Sequence, residues 1–326
     1  MSFFRKVSYF RGHKVTDARN KIYGMLGLTN HDDEDFIKPD YGFSTEEVFE
    51  MSILTTIRRH GSLEALSHIP LSEESNIALP SYVPDFTARV LGAHRHTSWL
   101  NCVAGIDWYS ASRQTKARPT QIAPGKIELK GILVDKVKGT TSPIYSTTLT
   151  VPLDEMCKLA QIKVDSEELY PWTDITRQEA FSLTLVRDMQ ENLHSFDHGH
   201  VTVGRRTRVP DISKFEEWWS TRVWGETPAT LDAEVFEIYK LYGSVCAGRK
   251  FIVTENARFG FAPERCQPGD LVAILAGGTV PFVLRPEFVD GSPPKQWYRL
   301  IGDSYIHGIM DGEAFDENKL SSICLI

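Results

Sequence analysis

The sharpest hydrophobic patterning lies in the C-terminal block. Phe251-Ile252-Val253-Thr254, Leu271-Val272-Ala273-Ile274-Leu275 and Val280-Pro281-Phe282-Val283-Leu284 are short apolar runs rich in β-branched residues and bounded by Gly, Pro or Asn. Runs of that length and composition predict buried strands joined by tight turns. Gly269-Asp270 and Gly277-Gly278 are turn dipeptides, and Pro281 suits a strand edge or first residue. Trp297 to Ile301 and Tyr305-Ile306 add two further strands. Residues 248–326 therefore predict a small antiparallel sheet curled towards a barrel. It closes on a polar cluster of Asp303, Tyr305, His307, Asp311 and Glu313.

Upstream the period changes from two to that of a helix. Residues 16–28 place Ile22, Met25 and Leu26 on one stripe. Ser44-Thr45-Glu46-Glu47 is a capping box opening a long helix, with Val48, Met51, Ile53, Leu54 and Ile57 apolar and a stop at Gly61. Leu149 to Ile162, Thr176 to Leu193, Asp211 to Trp224 and Pro228 to Cys246 also predict helices, while 110–125 reads as polar loop and Lys126 to Val137 as a strand. Residues 194–208, rich in Gly, His and Arg, predict a mobile lid. Helices first and strands last make an α+β fold. A mainly helical portion, 1–247, with a short β segment near 97–137, packs on the sheet of 248–326 in one compact unit.

Composition narrows the function classes. Apolar content of 41% and charged content of 24% suit a globular protein, and a net charge of −7 with scattered Lys and Arg argues against a nucleic-acid surface. No run approaches the ~18 apolar residues of a membrane span. Cys102, Cys157, Cys246, Cys266 and Cys324 are an odd count without a C-x-x-C pair, so a reducing, cytoplasmic setting is expected.

Candidate chemistry is sparse. His194, His198 and His200, with Glu191 and Asp197 nearby, have metal-like spacing, but nothing rigid places a fourth ligand, so no metal is expected. Ser304, His307 and Asp311 are the residue types of a hydrolytic triad without its spacing or a nucleophile elbow. The glycines form no phosphate loop or dinucleotide fingerprint, and no cofactor is expected. Asp303, His307, Asp311 and Glu313 either tune a proton donor or form a buried structural network. Trp297 and Tyr298 either line an apolar pocket or pack in the core, and Arg285 either anchors a carboxylate or forms an ordinary salt bridge.

The run Gly248 to Glu264, then Gly269-Asp270, Pro281 to Pro286 and Gly302 to Phe315, resembles the C-terminal half of fungal heterokaryon-incompatibility (HET) proteins. Asp17 to Leu28 resembles that family's D-P-R-D-K-x-Y-x-L-L-G-L helix, and Leu79 to Phe86 and Ile127 to Asp135 fit in order. The W-I-D-x-x-C-I-N-Q-like signature of the HET domain proper is absent, so the resemblance implies the family's tail without its effector.

Stand-alone tails of this kind occur in fungal terpenoid pathways, and the chain also looks like the norbornene-forming Diels–Alderase type among them. That resemblance implies a cofactor-independent intramolecular Diels–Alder cyclase acting on a hydrophobic terpenoid or polyene in secondary metabolism. A dry cavity would hold diene and dienophile in the reactive pose. Tyr305 and His307 are the expected catalytic hydrogen-bond donors, with Arg285, Trp297, Tyr298 and Asp303 binding substrate. The alternative is a non-catalytic recognition or regulatory protein derived from the incompatibility family and working through a protein partner.

Overall fold

The structure, a computed structural model, describes residues 3–28, 37–68, 77–88, 108–144, 153–163, 166–191, 203–206, 219, 246, 248–287 and 296–326. In chain order the elements are α1 (Phe3–Phe10), α2 (Asn20–Leu26), α3 (Thr45–His60), a 3-10 turn (Glu64–His68), β1 (Thr120–Ala123), β2 (Lys126–Thr140), α4 (Leu153–Ala160) and α5 (Arg177–Leu185). Then follow β3 (Met189–Glu191), β4 (Val203–Arg206), β5 (Arg249–Thr254), β6 (Phe259–Pro263), β7 (Leu271–Leu275), β8 (Phe282–Glu287), β9 (Trp297–Asp303), β10 (Tyr305–Ile306) and β11 (Ser321–Leu325). The class is α+β, with a mostly antiparallel sheet. Two compact units interleave in sequence, with boundaries after Val134, Gly269, Asp303 and Ile309.

The first unit comprises Met1–Val134, Asp270–Asp303 and Met310–Ile326. Its strands form a ring of pairings: the first half of β2 with β11, then β9, β8 and β7, which returns to β2. Strand β11 runs antiparallel to β2, and β8 runs antiparallel to both β9 and β7. Strands β11 and β9 are parallel, with Cys324 opposite Trp297. Side chains on a strand alternate faces. Ile127 and Leu129, Ala273 and Leu275, Phe282 and Leu284, Tyr298 and Leu300, and Ile323 and Leu325 accordingly all turn to one core. Gly131 lets β2 cross β7 closely, since a Cβ there would lie 2.8 Å from the Ile274 carbonyl oxygen.

The helices of this unit share that core through Phe3, Ile22, Val48, Phe49, Ile53 and Ile57. Helix α3 is set by its ends, as the sequence predicts. The Glu47 N–H donates to Ser44 Oγ at 3.2 Å, and the Ser44 N–H donates to Glu47 Oε2 at 2.7 Å. Gly61, at φ 69°, ends it. Tyr82 donates its phenol to Glu50 Oε1 at 2.5 Å, and burial pushes that phenol's pKa upward.

The second unit comprises Asp135–Gly269 and Ser304–Ile309. The second half of β2, β5, β6 and β10 form an antiparallel sheet in that order. Phe181 of α5 sits in an aromatic cluster, with ring centroids 5.1 Å from Trp219, 5.5 Å from Phe251 and 6.3 Å from Phe259. The Trp219 indole N–H donates to Ser182 Oγ at 3.0 Å.

The structure redraws several element boundaries. The helix expected over 176–193 stops at Leu185, because Arg187 and Asp188 turn to positive φ and the Asp188 N–H reaches back to the Leu183 carbonyl. The chain then enters β3, which pairs with β4, so 203–206 is strand. Helix α4 ends at Ala160, before the expected 162, and β1 lies in the stretch expected as loop. The helices expected over 211–246 and the lid and histidines over 194–202 lie outside the described residues, apart from Trp219 and Cys246, which are helical and buried. Among the described residues, no helix is long and apolar enough to cross a membrane.

Candidate functional site

In the second unit, β10 pairs Tyr305 with Phe261 and Ile306 with Gly260, and the His307 N–H donates to the Phe259 carbonyl at 2.8 Å. The two-residue strand period turns Tyr305 and His307 to one face. Tyr305 Oη and His307 Nδ1 are hydrogen-bonded at 3.0 Å. Asp188 Oδ1 lies 3.8 Å from the same nitrogen, and the Tyr170 ring stands 5.5 Å from the imidazole. Tyr170 Oη accepts the Phe259 N–H at 2.8 Å, and burial pushes its phenol's pKa upward. Tyr305 is fully buried and His307 is 5% exposed, so this arrangement is an internal polar network.

A second network in the same unit centres on Asp135, whose side chain is buried. Its carboxylate accepts from Asn256 Nδ2 at 3.0 Å and faces Arg258 Nε at 3.9 Å. The Arg258 guanidinium stacks 3.5 Å from the centre of the Trp172 ring, and Trp172 Nε1 donates to the Asn256 carbonyl at 2.9 Å. None of Tyr170, Asp188, Asp135 and Arg258 was an expected site residue. Asp135 and Arg258 do stand inside the runs Ile127 to Asp135 and Gly248 to Glu264 that carry the family resemblance, and that was the available signal.

The expected substrate-binding residues belong to the first unit. Arg285 donates from Nε and a terminal nitrogen to the two oxygens of Asp270, at 2.8 and 3.0 Å, and the Asp270 side chain is 1% exposed. Its fork is therefore engaged within the protein. Trp297 is buried beneath the Lys126 ammonium, 5.0 Å from the ring centre. Tyr298 faces the core, where burial raises its pKa, and Asp303 is buried opposite Phe282 at the end of β9. Asp311 is exposed, its N–H capped by Glu313 Oε2 at 2.8 Å. Ser304, which belongs to the second unit, is fully buried.

A cavity of about 580 Å³ is lined by Arg113 and residues 313–319, with charged and amide groups dominating its wall. None of the expected catalytic or substrate-binding residues lines it. Among the described residues no group of His, Cys, Asp and Glu is arranged to hold a metal. Cys157, Cys246, Cys266 and Cys324 are buried thiols, and burial pushes the Cys157 and Cys246 thiols up to about 12.

Residues 224–326 match the Het-6 beta-barrel domain. This stretch is similar to the tail of heterokaryon-incompatibility proteins. The chain is 25% identical, over 360 aligned positions, to "Heterokaryon incompatibility protein 6, OR allele" of Neurospora crassa. That alignment takes in 96% of this chain and 51% of the relative, so the chain spans about half the relative's length. No solved structure matches significantly.

These similarities overturn the cyclase expectation. Both point to heterokaryon incompatibility, and neither points to a Diels–Alderase, to terpenoids or to secondary metabolism.

Proposed function

We propose that this chain is a recognition or regulatory module of a heterokaryon-incompatibility system, acting through a protein partner in the cytoplasm. The observation that carries this reading is similarity to an incompatibility protein along nearly the whole chain, rather than over one motif. The buried thiols accord with a reducing compartment. In this reading Tyr305, His307, Asp303, Arg285, Trp297 and Tyr298 hold the scaffold together instead of meeting a substrate.

Expression of the chain in a panel of fungal strains differing in incompatibility type tests the proposal. Growth and viability of the resulting heterokaryons are expected to fall in some strain combinations and stay normal in others. Equal growth in every combination would overturn it.

A further inference from the structure

The turn Glu168–Thr176 in the second unit presents apolar side chains to solvent. Leu169 is 64% exposed and Trp172 is 40% exposed, with exposed Pro171 between them. The turn is closely tied. The Tyr170 N–H donates to the Ile175 carbonyl at 2.9 Å, the Arg177 N–H to the Glu168 carbonyl at 2.8 Å, and Leu169 bridges Thr176. Tyr170 anchors it from below, with its ring 4.9 Å from Phe259. Trp172 is fixed by its indole hydrogen bond and by Arg258, which the buried Asp135 holds in place.

An exposed tryptophan held in one orientation loses little conformational freedom on binding, and tryptophan is enriched among residues that dominate interface energetics. The charge around it indicates the partner. Glu167, Glu168 and Asp174 are exposed on the same segment, and Glu255 is exposed beside Asn256. Of these, Glu255 pairs with Lys136 at 3.2 Å. The apolar tip therefore lies on a segment that also exposes three carboxylates, Glu167, Glu168 and Asp174, and complementarity to them favours a basic partner surface.

We propose that the Leu169–Trp172 turn is a docking surface for a protein segment that carries apolar side chains flanked by lysine or arginine. This rests on the recognition reading and names the chemistry of the partner. Apolar groups of that segment would cover Leu169 and Trp172, while its cations face Glu167, Glu168 and Asp174.

The probe is a short synthetic peptide alternating lysine with leucine and phenylalanine, measured against its counterpart with glutamate in place of lysine. Binding to the full chain is followed by fluorescence anisotropy at low and high salt. The lysine peptide is expected to bind and the glutamate peptide not to. Leu169→Ser and Trp172→Ala are each expected to weaken binding about tenfold or more. The pair Glu168→Lys and Asp174→Lys should do the same and remove much of the salt dependence, whereas Glu317→Lys, a reversal elsewhere on the chain, should leave binding unchanged.

Leu169 is mostly exposed, so Leu169→Ser should melt as the wild type does and keep the test independent of folding. Equal loss with Glu317→Lys, or unchanged binding by Leu169→Ser, would overturn the proposal. So would self-association of the chain that Leu169→Ser abolishes, since a second copy would then be the occupant. The strain panel separates the two readings. A Leu169→Ser chain that retains strain-dependent incompatibility removes this surface and leaves the recognition reading intact, whereas a wild-type chain without any such effect removes that reading.

Discussion

Replacing Gly260 with valine is expected to unfold the second unit under conditions where the wild type is stable. Gly260 lies on β6 opposite Ile306 of β10 and Ile252 of β5. A Cβ built there falls within van der Waals overlap of the Tyr305 carbonyl oxygen and 2.6 Å from Ile306 Cδ1. The first of these atoms is backbone, so relief requires β10 to move, carrying Tyr305 and His307 with it. Overpacking of a core typically costs 1–3 kcal/mol, and displacement of a strand places this change at about 3 kcal/mol or more. Denaturant titration followed by circular dichroism measures the loss. Gly24→Ala is the control, because nothing lies within 4 Å of its Cβ position. A Gly260→Val protein as stable as the wild type would show that β10 does not pack against β6 as described.

Phe181→Ala is expected to cost about 3–5 kcal/mol, the range for truncating a buried phenylalanine. Phe181 is fully buried and meets Trp219, Phe251 and Phe259 edge-on. Its removal takes away apolar burial and edge-to-face contacts together, and leaves a cavity beside Trp219. Denaturant unfolding monitored by tryptophan fluorescence measures the change. A loss below about 1 kcal/mol would contradict the central place given to this cluster.

What could be read in the sequence was local. The capping box at Ser44 and Glu47 and the stop at Gly61 are short-range chemistry, and helix α3 follows from them. The β-branched runs at 251–254 and 271–275 announced β5 and β7. Strand β6 was hidden because Gly260 and Pro263 break the usual strand composition, and β1 because a four-residue strand with its first three positions exposed has no apolar alternation. The end of α5 depends on non-glycine residues at positive φ, which residue type does not announce.

The same distinction governs the polar networks. Tyr305 and His307 share a face because they are two apart on an extended segment, and that is visible in the sequence. Their neighbours Asp188 and Tyr170 come from distant segments, as do Asp135 and Arg258 beneath Trp172. Long-range pairing is set by the folded topology, so residue types are legible along the chain while their partners are not. The engagement of Arg285 by Asp270 was open in the sequence for the same reason.

Whether this chain carries incompatibility specificity is tested most directly by exchange. The matched half of the Neurospora crassa relative is replaced by this chain, and heterokaryon viability is scored against strains of differing incompatibility type. The expected result is a chimera that is expressed and whose set of rejected strains changes with the exchanged half. A chimera that folds and rejects the same strains as the unexchanged relative would contradict the recognition role.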